Sequence, residues 1–459
     1  MAKSTGGNNN TSSFTVSDTT VAETTVAETT VEVIGAGPSG LFLAHALVEQ
    51  GYSVKVFESS YSVGGMVQTL ESPWGKIETA ANAFQNSLEL EALAEKLKVS
   101  LVPAKKSASR RYIFLKGAPR PVGPFSLGFF RGISLLIQYA FFRDRLIPRP
   151  IESVKAYGAR VLGTRKTEDL LIPALQGVYA GDPNLLSATL LFSKFFRKRE
   201  AEKPRKTHLG RTVAPALGMG SFFYALYEYV LSKGVTFEFG KAIKDAPPPN
   251  VIRIYTGNPS RISKSLPNDI SMKDAERGVA GLHVVSLTSV ALFFDEAPKS
   301  ILPGFGVLFP RDGGIRSLGV LFNESIFPDR SPIHSETWIL GGALDPEFHK
   351  LSDDEILRVI HVDREKCLGE TISPKFSRIQ RWPDAIPHFD LKLEERLKNG
   401  IAELVAAGTR DTSASRILFF GTFLGNLGIG GLLTEAEHFV GRLSSITPRG
   451  TLGGEGSVK

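Results

Sequence analysis

VEVIGAGPSGLFLAHALVEQGYSVKVFE, residues 31–58, decides the fold. It reads as strand, glycine turn, helix, second strand and terminal acid, the order a dinucleotide site requires. Gly35 permits the tight turn after the strand, Gly37 lets the backbone approach a pyrophosphate, and Gly40 lets the helix pack closely on the strand. Pro38 and Ser39 open the helix, whose first turn offers free N–H groups and a positive dipole end to the phosphates. Leu41, Ala44 and Leu47 recur at helical spacing, Gly51 ends the helix, and Val54 and Val56 point inward from the next strand. Glu58 lies about 20 residues beyond the turn, where a carboxylate meets a ribose 2′-OH.

The residues after Glu58 choose the cofactor. Gly64-Gly65 form a glycine doublet followed by Met66. A second close backbone approach to one ligand resembles FAD enzymes of the glutathione-reductase and amine-oxidase type, and a plain NAD dehydrogenase has no use for it. The sequence therefore predicts an α/β protein with a Rossmann-type FAD-binding domain.

Composition fits a multidomain enzyme and excludes several other classes. A chain of 459 residues suffices for two or three domains. The single Cys367 rules out an internal disulfide, a CxxC redox pair and a cysteine-ligated zinc. Eight histidines show no HxxxH or similar spacing, so no metal is assigned. Net charge is +7, and the positive charge is dense in 105–211 without any nucleic-acid motif. The same region holds PFSLGFFRGISLLIQYAFFRDRLIPR, residues 124–149, apolar and aromatic but interrupted by Arg131 and closed by Arg143 and Arg145. It is too broken to span a bilayer and suits an interfacial helix or hairpin on an anionic lipid surface, with a buried core helix as the alternative. Residues 1–30 are rich in Ser, Thr and Asn, with the near-repeat TTVAETTVAETT and no apolar run of a secretory signal. The first arginine is Arg110, which argues against an Arg-rich transit peptide. A cytoplasmic protein peripherally attached to a membrane is expected.

Later segments return to the cofactor. LGMGSFFYALYEYVLSKGVTFEFG, residues 217–240, reads as glycine turn, helix and strand, and VIRIYTGNP, residues 251–259, as a strand. RILFFGTFLGNLGIGGLLTEAEHFVGRL, residues 416–443, reads as buried strand, glycine-rich turn and amphipathic helix. Gly428 and Gly430 in that turn are candidates for presenting N–H groups to the flavin edge, the alternative being a turn that serves packing only. The expected organisation is a cofactor domain from 31–100, 210–258 and 412–447, a mainly helical membrane-facing domain over 101–209, and a β-rich substrate domain over 259–411. Residues 1–30 and 448–459 are expected to be flexible ends.

Between the cofactor segments lie motifs of far higher specificity. They are Arg111-Tyr112-Ile113-Phe114 with Pro119-Arg120-Pro121, GVYAGDP at 177–183 with Leu186-Ser187, and GFGVLFP at 304–310. LGVLF at 318–322, FPDRSP at 327–332, RWP at 381–383 and AIP at 385–387 follow. In this order they resemble the protoporphyrinogen oxidase family over about residues 31–445. Phytoene desaturases and amine oxidases do not carry them as a set.

The resemblance implies an FAD- and oxygen-dependent, six-electron dehydrogenation of a porphyrinogen in haem biosynthesis, with the hydride going directly to the flavin and no catalytic side chain. It implies peroxide as by-product, and a further haem-pathway enzyme such as ferrochelatase as a possible partner. Residue by residue, Arg111 matches the family's carboxylate-binding arginine, and Leu308 and Leu321 match apolar positions lining the substrate slot. Ile339 stands where the family has a slot aromatic, and Trp338 would compensate only with a shifted strand register. Met66 stands where the family carries a cation, and in Thr79–Phe84 Ala80 replaces a glycine beside the flavin while Asn82 is kept. Three alternatives stay open: coproporphyrinogen III oxidation, desaturation of an isoprenoid, which would have no use for Arg111, and a catalytically weak scaffold in a haem-making complex.

Overall fold

In a computed structural model the described residues are 30–123, 143–196, 206–248, 251–265, 281–298, 302–399, 416–424 and 428–446. The first sheet follows from the opening motif. Strands β1 (Thr30–Ile34) and β2 (Ser53–Phe57) pair in parallel on either side of the helix Pro38–Glu49, with Val31 facing Val54 and Val33 facing Val56. Strand β11 (Ile252–Thr256) adds in parallel to β1, β10 (Thr236–Glu238) to β2, and β17 (Arg416–Phe420) to β11. The order β10-β2-β1-β11-β17 is a doubly wound parallel sheet assembled from three distant parts of the chain. Its central strands β1 and β11 are buried on both faces, as a parallel sheet requires.

The helices Pro38–Glu49, Met219–Ser232 and Ile429–Ile446 cover this sheet. Their shared core is aromatic. Phe42 meets Phe223 edge-on at 5.6 Å, and Phe84 meets Phe222 at 5.0 Å. Phe84 thereby anchors the segment Thr79–Phe84 to the core of the cofactor half.

A second sheet of seven strands runs β16-β12-β15-β14-β13-β7-β8. Its members are β7 (Arg111–Leu115), β8 (Ala118–Val122), β12 (Val284–Phe294), β13 (Gly306–Leu308), β14 (Gly319–Phe322), β15 (His334–Gly341) and β16 (Phe376–Pro387). The strands β7 and β8 fall in the range expected to be mainly helical. They join this sheet because β7 pairs in parallel with β13, Tyr112 facing Val307 and Ile113 facing Leu308. One face of the sheet, bearing Tyr112, Val307, Val320 and Trp338, packs on the helix Asp353–Leu368. Two small sheets, β3 (Thr69–Ser72) with β4 (Gly75–Glu78), and β5 (Phe84–Gln85)-β9 (Thr212–Pro215)-β6 (Leu101–Pro103), join the halves.

Helices Val154–Leu162, Ile172–Tyr179 and Ala188–Phe192 form a helical lobe. Most of the aromatic stretch 124–149, including the Phe129-Phe130 and Phe141-Phe142 pairs, lies outside the described residues. Among the described residues no helix is long and apolar enough to cross a membrane.

Candidate functional site

The two glycine turns converge. Gly35 takes φ +106°, a value L side chains avoid, and its N–H donates to the Phe57 carbonyl at 2.7 Å. A Cβ on Gly40 would lie 1.8 Å from the Gly35 oxygen, so only glycine lets this helix sit on this strand. The Gly64 N–H donates to the Ala36 carbonyl at 2.8 Å, and a Cβ on Gly65 would stand 3.1 Å from the Gly37 Cα. Gly37, Gly64 and Gly65 therefore form one side-chain-free cradle in front of a helix N-terminus. Pro38 has no N–H, and those of Ser39 and Gly40 have no acceptor within the helix. This is where a pyrophosphate fits.

Glu58 closes the cradle at the end of β2. Its Oε2 accepts from the Ala36 N–H at 2.7 Å and its Oε1 from the Ser60 N–H at 2.8 Å. Oε1 also accepts from Ser59 Oγ at 3.3 Å, so Oε2 is the oxygen with a lone pair left for a ribose hydroxyl. The residues present thus fit an FAD adenosine and pyrophosphate.

The segment facing the expected flavin is tied at several points. Thr79 Oγ1 donates to the Met66 carbonyl at 2.7 Å, linking it to the glycine doublet. Trp382 Nε1 donates to the Thr79 carbonyl at 2.8 Å, which gives the RWP motif a role the sequence did not reveal. Ala80 is half-buried and its φ is outside the left-handed region, so its methyl adds no backbone strain. Asn82 Nδ2 donates to the Ala80 carbonyl at 3.4 Å. Gly428 is exposed ahead of the helix Ile429–Ile446, and a Cβ on Gly430 would lie 2.7 Å from the Gln85 oxygen. Gly430 is thus held by packing against β5, a constraint the GxGG pattern could not separate from a cofactor contact. Residues 425–427 of that turn lie outside the described residues.

The predicted substrate residues come together on the other face of the seven-stranded sheet. Strand alternation puts Tyr112, Val307, Val320 and Trp338 into the core, so Arg111, Ile113, Leu308, Leu321 and Ile339 share the opposite face. Leu308 faces Gly319, which faces Ile339, and Leu321 sits between Gly306 and Thr337. These glycines leave the face shallow between the apolar side chains. The helix Ile172–Tyr179 borders it, since a Cβ on Gly177 would lie 2.3 Å from Leu308 Cδ2. Leu321, Ala83 and Phe305 pack against one buried cluster that includes Ile326 and Phe327, so this face and the Thr79–Phe84 segment share a common support. Arg111 stands exposed at the end of β7 with its guanidinium 4.8 Å above the Phe305 ring.

Trp338 does not replace the missing slot aromatic. It is fully buried on the core face, stacked on Phe309 at 5.7 Å, and its Nε1 donates to Glu336 Oε2 at 2.8 Å.

His283, His388 and Asp390 are the described residues nearest to a metal-ligand set. His388 Nε2 accepts from the Asp182 N–H at 3.0 Å, which leaves its proton on Nδ1, 3.3 Å from Asp390 Oδ2. Both ring nitrogens are thus committed, and the cluster reads as a strut for the 177–183 motif.

Comparison with known proteins agrees with this geometry. Residues 33–97 match the NAD(P)-binding Rossmann-like domain, and residues 246–409 match the flavin-containing amine oxidoreductases. The chain is an FAD-dependent oxidoreductase with an amine-oxidase-like fold. It is similar to the chloroplastic protoporphyrinogen oxidase of Nicotiana tabacum, 26% identical over 417 residues that cover 78% of this chain and 76% of that one. It is also similar to coproporphyrinogen III oxidase of Bacillus subtilis, 23% identical over 84% of this chain and 93% of that one. A solved Exiguobacterium protein, provisionally assigned as a protoporphyrinogen oxidase, superposes with TM-score 0.73 at 17% identity, covering 91% of this chain and 98% of that one. The last likeness shows the fold.

Proposed function

We propose that this protein oxidises protoporphyrinogen IX to protoporphyrin IX with molecular oxygen as acceptor. One observation carries the reading: Arg111, Leu308, Leu321 and Ile339 share one sheet face, and Leu321 packs against the same apolar cluster, around Ile326 and Phe327, as Ala83 of the segment expected to face the flavin. Bound FAD supplies the hydride acceptor that oxygen regenerates. The chain itself binds and orients. Leu308, Leu321 and Ile339 offer an apolar bed to a macrocycle, and the glycines between them let it approach the backbone. Arg111 presents a guanidinium at the exposed edge, where a propionate can be held by a two-pronged hydrogen bond. The ring of Phe305 beneath it restricts the arginine's freedom.

Protoporphyrinogen IX and coproporphyrinogen III, assayed side by side by product fluorescence, test the reading. Faster turnover of the dicarboxylate supports it. Preference for the tetracarboxylate replaces it with the activity named for the Bacillus relative, and turnover of neither removes both.

We also propose a peripheral membrane seat on the helical lobe. Ile147 and Ile151, close in sequence to Arg145 and Arg149, are exposed there, as are Leu185 and Phe195. Sedimentation with anionic vesicles, wild type against Ile151→Ser/Phe195→Ser, measures this; unchanged pelleting of the variant removes the lobe from the contact. The planar product suggests hand-over to a haem-pathway enzyme, ferrochelatase being the candidate, and failure of the two to co-sediment would exclude it.

A further inference from the structure

The motif FPDRSP, residues 327–332, has no part in the scheme above, yet Arg330 within it is a buried cation at the junction of the two halves. Its Nη1 pairs with Glu78 Oε1 at the end of β4. Its Nη2 donates to the Asn82 carbonyl at 3.3 Å, within the segment beside the expected flavin. Glu78 is equally buried and fully engaged. Its Oε2 accepts from Thr69 Oγ1 at 2.7 Å, and its Oε1 accepts from the Met219 N–H at 3.0 Å, the N-terminus of the helix Met219–Ser232. Thr69 Oγ1 in turn accepts from the Gly220 N–H at 2.9 Å.

The rest of the motif explains itself as the means of delivering that guanidinium. Phe327 lies beneath it, ring centroid to Cζ 5.1 Å. Asp329 takes φ +57°, a left-handed conformation that Asp tolerates better than most residues and that turns the chain inward. The Arg330 carbonyl accepts from the Lys76 N–H at 2.9 Å, and Ser331 Oγ donates to the Trp74 carbonyl at 2.7 Å. Gly75, at φ +134°, is where the β3–β4 hairpin meets this loop, since a Cβ there would lie 2.7 Å from the Arg330 oxygen.

We infer that Arg330 is a positioning residue, fixing the Thr79–Phe84 segment, and with it the cofactor's seat, relative to the substrate face carried by β14. The same loop contributes Phe327 to the cluster around Leu321 and Ala83, so cofactor seat and substrate bed are registered by a single element. A salt bridge that served stability alone would need only Glu78; the second prong, to a main-chain carbonyl beside the flavin, points to alignment. This rests on the FAD assignment, and on the porphyrinogen reading only for its kinetic arm.

The test uses the FAD-loaded protein and three variants. Arg330→Lys keeps the charge opposite Glu78 but cannot also reach Asn82. It is expected to unfold near the wild-type temperature as apoprotein, yet to release FAD about tenfold faster, read as recovery of free-flavin fluorescence on dilution. Its porphyrinogen kcat should fall by up to about a hundredfold with little change in KM, as misalignment predicts. Arg330→Met leaves Glu78 buried without its counter-ion and is expected to destabilise the apoprotein. Glu78→Gln/Arg330→Met removes both charges, and is expected to regain apoprotein stability without regaining FAD retention. Wild-type FAD release from Arg330→Lys, or joint recovery of stability and FAD retention in the double variant, would overturn the inference and leave the pair a structural salt bridge. Because FAD release is read without substrate, failure of the porphyrinogen reading leaves this test intact.

Discussion

Replacing Gly37 with alanine should separate cofactor binding from folding. Its backbone is extended, φ −75° and ψ −176°, so an L residue is tolerated there. An added Cβ would meet only the Gly65 Cα, at 3.8 Å, an ordinary contact. The apoprotein should therefore accept the methyl and gain about 0.4–1 kcal/mol from the stiffer unfolded chain. The same change at Gly40 would drive a Cβ to 1.8 Å from the Gly35 oxygen, and that variant should fail to fold. FAD reverses the comparison, because its pyrophosphate needs the space the methyl would take. If the methyl raises the dissociation constant about a hundredfold, the consequence can be worked out by linkage. At free FAD about 100 times the wild-type constant, binding stabilises wild type by about 2.7 kcal/mol and Gly37→Ala by only about 0.4 kcal/mol. The assay is denaturant unfolding of apo and FAD-saturated protein, with flavin absorbance as the measure of occupancy. Equal FAD-induced stabilisation in both proteins, or full flavin occupancy in the bulkier Gly37→Val, would refute the cradle.

Two further predictions address the substrate sheet. Arg111→Ala should keep its flavin and raise KM for the free-acid porphyrinogen about ten- to a hundredfold, the value of a charge-assisted hydrogen bond, with Arg111→Lys rescuing part of the loss; identical KM values would take Arg111 out of the site. His334 is buried, which opposes its charge, but hydrogen bonds to Glu324 and Glu336 outweigh burial and raise its pKa to about 9. A raised folded-state pKa contributes stability that is complete below the unfolded value near 6.5 and is lost as pH climbs to about 9. Unfolding free energy should fall on the order of 3 kcal/mol across that window, and His334→Gln should flatten the curve; parallel pH profiles for the two proteins would contradict the assignment.

The sequence alone determined the cofactor half. Its information is local: glycine spacing, helical period and terminal acid all lie within residues 31–58, and the backbone conformations they demand leave few alternatives. Gly35 and Gly40 took the places and contacts the pattern required. Leu308 and Leu321 are placed by family resemblance alone; read by pattern they are ordinary strand core, and their shared face follows from the register of β13 on β14.

What the sequence could not reveal was pairing. Strand β7 lies next to β13 although nearly half the chain separates them, and only that parallel register sets Arg111 on the face of Leu308. The register of β15 against β14 buries Trp338 and leaves Ile339 on the face of Leu308, a choice the two adjacent apolar residues do not express. The packing of Gly430 against Gln85 is likewise invisible in the glycine-rich turn itself, because Gln85 lies in a distant part of the chain. Arg330 and Glu78 are separated by 252 positions, and neither carries a local signal of its partner. Local chemistry is written in short-range spacing, whereas a buried ion pair is specified by the whole fold, which must desolvate both charges and bring them together.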